Sequence, residues 1–292
     1  MKAIYILILM SFYLGLQSQD CRKFPDFALA LGFDVTRSAF SSSEHREMGL
    51  LLVELDPQNL RHSARSKTYK DPTWDDAGYL GPITIDRFGN GYVSAKPNVN
   101  MLYNPIINQN TIYKIDNASG KMSSWLVLPY SDESNNQNPY GIVGMYYDCN
   151  MDYLIVSTVS GSTQSSEVGK IFRVDVRNKT YELICDGVDA MGVITLRRDN
   201  KNVLIYGSAR TSDVYSVELD SKYQKVGNPK KILTLEGLGS RGDDRARKIR
   251  VDGDNLLIDG TTFYYNLTAP TFIQESKYTF DIANNFALLN IR

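Results

Sequence analysis

The chain has 292 residues, 32 basic against 33 acidic, and a formal net charge of −1, so no charge excess recommends nucleic acid or an anionic membrane as a partner. Forty-two per cent of its residues are hydrophobic and only three are cysteines, which is enough apolar material for one large core and too little sulfur for a disulfide scaffold.

Met1-Lys2 is a short basic start, and Ala3 to Leu16 is an apolar run too short to cross a bilayer comfortably. With the small Ser18 at the cleavage position, 1–18 reads as a signal peptide and 19–292 as a single mature domain, secreted or periplasmic. A lipid anchor through Cys21 is the alternative, although Gln19-Asp20 suit such a site poorly. No other segment approaches membrane-spanning length. Cys149 and Cys185 fall near the ends of neighbouring hairpins and could pair in an oxidising compartment. Isolated cysteines of this kind also occur as small buried hydrophobes.

Phe27 to Thr36 reads as the first strand. Beyond it a hairpin recurs five times, its first strand ending on Asp56, Asp116, Asp175, Asp220 and Asp281. These aspartates stand 60, 59, 45 and 61 residues apart. A second hairpin type precedes four of them, at 83–93, 142–157, 193–208 and 248–259, each an apolar strand, a polar turn and a β-rich strand. Two hairpins in fixed phase make a four-stranded blade, so the expectation is an all-β propeller of five blades, with six as the alternative. The first repeat has no obvious innermost strand, and ring closure is expected to borrow one from the C-terminal segment. Insertions at 95–110 and 159–169 join the second and third strands of their blades and are candidate functional loops.

The stretch Gly81 to Ala95, GPITIDRFGNGYVSA, resembles the strand-turn-strand unit of NHL-repeat proteins and of gluconolactonase-like (senescence marker protein type) propellers. Pro139-Tyr140-Gly141-Ile142 falls where those families lead into the inner strand. The gluconolactonase-like branch implies hydrolysis of a lactone or ester, with a calcium-class ion on Glu, Asn and Asp at the channel top. Here Tyr140 stands where Asn is expected and Met191 where Asp is expected. Asn138 and Asp189 are displaced by a residue or two, so the pattern as written does not build the metal site.

Ligand binding is therefore expected at the channel mouth, on the loops that lead into the inner strands. These carry Asp75, Asp76 and Tyr79, then Asn138 and Tyr140, then Asp189 and Met191, then Asp244, Arg245 and Arg247. Mixed Asp, Asn, Tyr and Arg suit a polar, anionic or sugar-like molecule, Arg through its planar fork. The two histidines, His45 and His62, lie off the inner strands, which speaks against a histidine-dependent hydrolase. Arg210 and Asp213 are read as a pair across one turn, and Trp74 as packing between blades more than as a ligand platform. The expected function is a secreted binding or scaffold module for a small polar molecule or a protein, without a cofactor; the metal-dependent hydrolase is the alternative. The sequons at Asn117, Asn178 and Asn266 are expected to carry no glycans, since the leader is bacterial in style.

Overall fold

The computed structural model describes residues 21–42, 48–58, 65–97, 100–129, 138–198, 200–267 and 275–292. The proposed signal peptide, His45 and His62 lie outside the described residues. Five antiparallel sheets follow one another along the chain. Blade 1 contains β1 (Ser38–Ser41), β2 (Leu51–Leu55) and β3 (Arg65–Tyr69). Blade 2 contains β4 (Leu80–Ile85), β5 (Gly91–Ala95), β6 (Thr111–Ile115) and β7 (Met122–Val127). Blade 3 contains β8 (Ile142–Asp148), β9 (Tyr153–Thr158), β10 (Lys170–Asp175) and β11 (Thr180–Asp186). Blade 4 contains β12 (Ala190–Arg198), β13 (Lys201–Ser208), β14 (Asp213–Leu219) and β15 (Lys225–Thr234). Blade 5 contains β16 (Arg245–Asp252), β17 (Asn255–Thr261), β18 (Ser276–Asp281) and β19 (Ala287–Ile291). The fold is an all-β propeller of five blades.

Both hairpin types are held by the same device, an aspartate that ends a strand and accepts from backbone N–H groups in the turn. Asp116 Oδ1 takes Ala118 N at 3.1 Å and Ser119 N at 2.8 Å. Asp175, Asp220 and Asp281 do the same in their turns. Asp86 and Asp148 repeat it after the inner strands. A short carboxylate offers the turn backbone partners that the ladder has just stopped supplying, which is why Asp recurs at this position.

The strand alternation puts the hairpin turns on one face of the ring. The connections between blades, and those from second to third strands, lie on the other, the loop face. The inner strands pack in series, β4 beside β8, β8 beside β12 and β12 beside β16. Glycine makes the approach possible. A Cβ on Gly144 of β8 would stand 1.9 Å from the Met191 carbonyl oxygen of β12, and one on Gly192 would stand 2.9 Å from that of Ala246. The seams between blades carry the core, with Tyr206, Leu204 and Val193 in one and Ile194, Ile258 and Tyr278 in the next.

Several expectations fail at the first blade. Residues 26–30 form a helix, α1 (Asp26–Ala30), instead of a strand. Within the expected strand, Leu29 and Leu31 are exposed, while Phe27, Ala28 and Phe33 are buried. Pro25 sets the approach to the helix and Gly32, at φ +75°, ends it. Blade 1 has three strands among the described residues, in the order β1-β2-β3, and by its connections the missing one is the innermost. The C-terminal segment does not supply it. The Asp281 turn folds residues 287–291 back onto β18 as the fourth strand of blade 5.

The N-terminal segment binds the turn face instead. Lys23 N donates to Asp86 O and Phe27 N to Asn117 O. The Asn117 amide exchanges two 2.7 Å hydrogen bonds with Asp26. Phe27 packs beside Phe40, Tyr69 and Trp74, and the Trp74 indole N–H donates to Gly120 O at 2.8 Å, so Trp74 is core. Cys21 forms a disulfide with Cys149, in the β8–β9 turn. That corrects both cysteine expectations that assigned a role. Cys149 sits on the turn face of an inner strand, whereas Cys185 lies near the loop-face end of the outermost strand β11, free and buried. Cys21 has its sulfur in the disulfide, which leaves none for a lipid. Among the described residues no helix is long and apolar enough to cross a membrane.

Candidate functional site

The loop face over blades 3, 4 and 5 is organised by one buried carboxylate. Asp189 precedes β12, and its side chain is fully enclosed. Oδ1 accepts from Ser162 Oγ and, at 3.0 Å, from Gly169 N. Oδ2 accepts from Arg210 Nε at 2.9 Å and Tyr265 Oη at 2.5 Å. Arg210 reaches on to the carbonyls of Thr163, Gln164 and Ser166, and its guanidinium lies 5.1 Å from the centre of the Tyr265 ring. Burial and the Asp189 hydrogen bond raise the Tyr265 hydroxyl far above its ordinary pKa. The 159–169 insertion is thus tied to blades 4 and 5 by a charged pair whose donors and acceptors are matched.

Beside this hub lies an apolar floor. Val159, Met191 and Ala209 are buried together, and Tyr140, Val143, Phe263 and Tyr265 pack against them. Tyr140 and Phe263 have ring centres 5.5 Å apart, Phe263 and Tyr265 5.2 Å apart. Asn138 is buried under the insertion, donating to Val159 O at 2.7 Å and Ser162 O at 2.9 Å while accepting from Tyr140 N at 3.0 Å. Four expected site residues, Asn138, Tyr140, Asp189 and Met191, therefore belong to one assembly.

The other six are spread along the loop face. Asp244 is buried, accepting from Arg241 Nε at 2.8 Å and Tyr278 Oη at 2.7 Å. Arg245 donates to Ser212 Oγ at 3.0 Å and to Asp243 O. Arg247 pairs with Glu275. Asp75 pairs with Lys70 at 2.6 Å, Asp76 is exposed, and Tyr79 meets the Tyr103 ring at 6.3 Å in the 96–110 loop. Arg210 binds Asp189 and not Asp213, which faces Lys231. Phe263 and Tyr265 were missed. The repeat of blade 5 contains no Asp or Gly signal at those positions, and only the fold brings them to the aromatic floor.

The calcium set implied by the resemblance does not fit these residues. Every Asp189 oxygen is already taken by donors, and the Asn138 oxygen faces a backbone N–H. Among the described residues, no three His, Cys, Asp or Glu side chains come together as a metal set. An open depression of about 410 Å³, lined by Glu167, Val168, Lys170, Asp186 and Gly187, lies at the outer side of the insertion.

No family model and no curated protein matches the chain. Solved structures do. A Kuenenia stuttgartiensis hydrazine synthase chain aligns with 78% of this chain at 15% identity and TM-score 0.44. This chain spans about half of that one, 51%. A chain of a nidogen/laminin complex aligns over 83% of this chain and 89% of its own, at 9% identity and TM-score 0.47. An endo-arabinase from Bacteroides thetaiotaomicron aligns over 72% and 78%, at 11% and 0.45. Likeness at this level assigns the chain to no family.

Proposed function

We propose that this protein is a secreted binding module that holds a small polar molecule on the loop face, over the floor formed by Tyr140, Met191, Phe263 and Tyr265. The carrying observation is the Asp189–Arg210 hub. It fixes three loops around an aromatic surface before any ligand arrives, and such preorganisation lowers the ordering cost of binding. Aromatic faces beside hydroxyl and guanidinium groups suit a ligand with both apolar and polar surface. The binding reading is preferred to the lactone or ester hydrolase because the carboxylate best placed for chemistry, Asp189, is saturated with donors. The Cys21–Cys149 disulfide supports an oxidising compartment.

A ligand screen by thermal shift, followed by calorimetry on the hits, tests this. Tyr140→Ala should weaken a hit at least tenfold, while Val127→Ser on the outer strand of blade 2 should leave it unchanged. The reverse pattern overturns the assignment, and so does turnover of a hit lactone or ester.

A further inference from the structure

Two hydrogen-bonding groups at the aromatic floor are left unused by the protein. The first is an amide. Gln109 stands at the end of the 95–110 insertion and is only 3% exposed. Its Nε2 donates to Ser160 Oγ at 2.6 Å, while its Oε1 is buried without a hydrogen-bond partner. The backbone fixes its place. Ile142 N donates to Gln109 O at 3.1 Å, and Val159 N donates to Gly141 O at 3.0 Å. A Cβ on Gly141 would collide with the Gln109 carbonyl, so glycine is what lets the two segments close up. Gln109 is thereby held against Gly141 and Ser160, the chain neighbours of the floor residues Tyr140 and Val159. A buried amide oxygen that no donor of the chain reaches is costly, and it calls for a donor from outside the chain.

The second group is the Tyr140 hydroxyl. The Tyr140 backbone N–H is taken by Asn138, but the hydroxyl has no partner among the described residues, and burial raises its pKa. Tyr265 differs, since its hydroxyl donates to Asp189. The charges of the hub are already answered. Asp189 accepts from Ser162, Gly169, Arg210 and Tyr265, and Arg210 donates on to three carbonyls of the 159–169 insertion. An ion brought to the floor would give up its water without gaining an unpaired counter-charge there, and that penalty favours a neutral ligand. The rings of Tyr140 and Phe263, 5.5 Å apart, call for apolar surface on the same molecule.

Resting on the binding reading above, we propose that the molecule held at the floor is a neutral saccharide. Its less polar ring face lies on Tyr140 and Phe263, one hydroxyl donates to Gln109 Oε1, and another pairs with the Tyr140 hydroxyl. A hydroxyl both donates and accepts, so a single ligand class answers both unused groups, and the C–H groups of a sugar ring supply the apolar face.

Calorimetry on the full chain with glucose, galactose, arabinose and maltose, compared with glucuronate and galacturonate at matched ionic strength, tests the assignment. At least one neutral sugar should bind with a dissociation constant of millimolar or tighter, and both uronates should bind at least tenfold more weakly. Tyr140→Phe keeps the ring and removes a hydroxyl that no described residue uses, so Tm should stay at the wild-type value while affinity falls at least threefold. Gln109→Leu should weaken binding at least fivefold. The assignment is overturned if no neutral sugar binds, if a uronate binds as tightly as the sugars, or if either variant binds like wild type. If a sugar binds and Tyr140→Ala has no effect, the floor is the wrong site and the binding reading falls with it. If Tyr140→Ala abolishes binding of a charged or hydroxyl-free compound while no sugar binds, the floor stands and the saccharide assignment alone falls.

Discussion

At the residue scale, the aspartates that close the hairpins are structural groups. Asp116 accepts from the Ser119 backbone and hydroxyl, and those hydrogen bonds lower its pKa below the ordinary 3.8. A carboxyl whose pKa falls on folding contributes fully above its unfolded value, and the contribution is lost as pH drops through the folded value. Urea midpoints of wild type should therefore decline below about pH 4. Asp116→Ala should cost about 1 kcal/mol at pH 7 and show a shallower acid decline than wild type. Cys185 illustrates the opposite case, since burial pushes its thiol up to about 11. A thiol kept protonated and enclosed is a poor nucleophile. With Ellman's reagent the native protein should release almost no colour, and the denatured, unreduced protein should report one thiol per chain.

At the scale of elements, close packing of inner strands depends on glycine, and the insertion depends on the hub. Gly144→Ala forces a methyl group against the Met191 carbonyl, a backbone atom that cannot turn aside. A loss of about 1–3 kcal/mol is expected by denaturant titration, the range for overpacking a tight core. Arg210→Ala removes the cation beside Asp189 and the donor to three carbonyls of the insertion. Breaking a buried pair from one side costs about 3–5 kcal/mol. Hydrogen exchange should quicken first in residues 159–169, with the turn face unaffected. Uniform protection across that segment in the variant would show that something else holds the loop.

At the scale of the whole molecule, blades 2 to 5 are joined by packing between their inner strands, and the N-terminal segment is held on the turn face of blades 2 and 3. The Cys21–Cys149 link spans 128 residues and joins that segment to blade 3. Cross-linking over so long a loop restricts the unfolded chain, with an expected stabilisation of about 2–5 kcal/mol. Reduction, or Cys21→Ser, should lower Tm, and the loosened contacts should be those of residues 21–33 with the β4–β5 and β6–β7 turns. An unchanged Tm after complete reduction would mean that Phe27 and Asn117 suffice to hold the segment.

The all-β class, the five repeats (with six blades left open) and the positions of the Asp-ended hairpins were determined by the sequence alone, because they rest on local chemistry: apolar alternation and an aspartate that caps its own turn. Asp116, Asp175, Asp220 and Asp281 each carry that instruction within five residues. What joins distant segments was decided only by tertiary structure. Cys21 finds Cys149 because the N-terminal segment lies under blades 2 and 3, a fact without any signature near either cysteine. Asp189 looked like a displaced metal ligand, yet four donors from three loops converge on it. Phe263 and Tyr265 reach the aromatic floor from a loop whose own sequence carries no periodic signal. The helix at 26–30 was misread for the same reason. The contacts of Phe27 with Trp74 and Tyr69, which fix this segment, lie outside its local sequence.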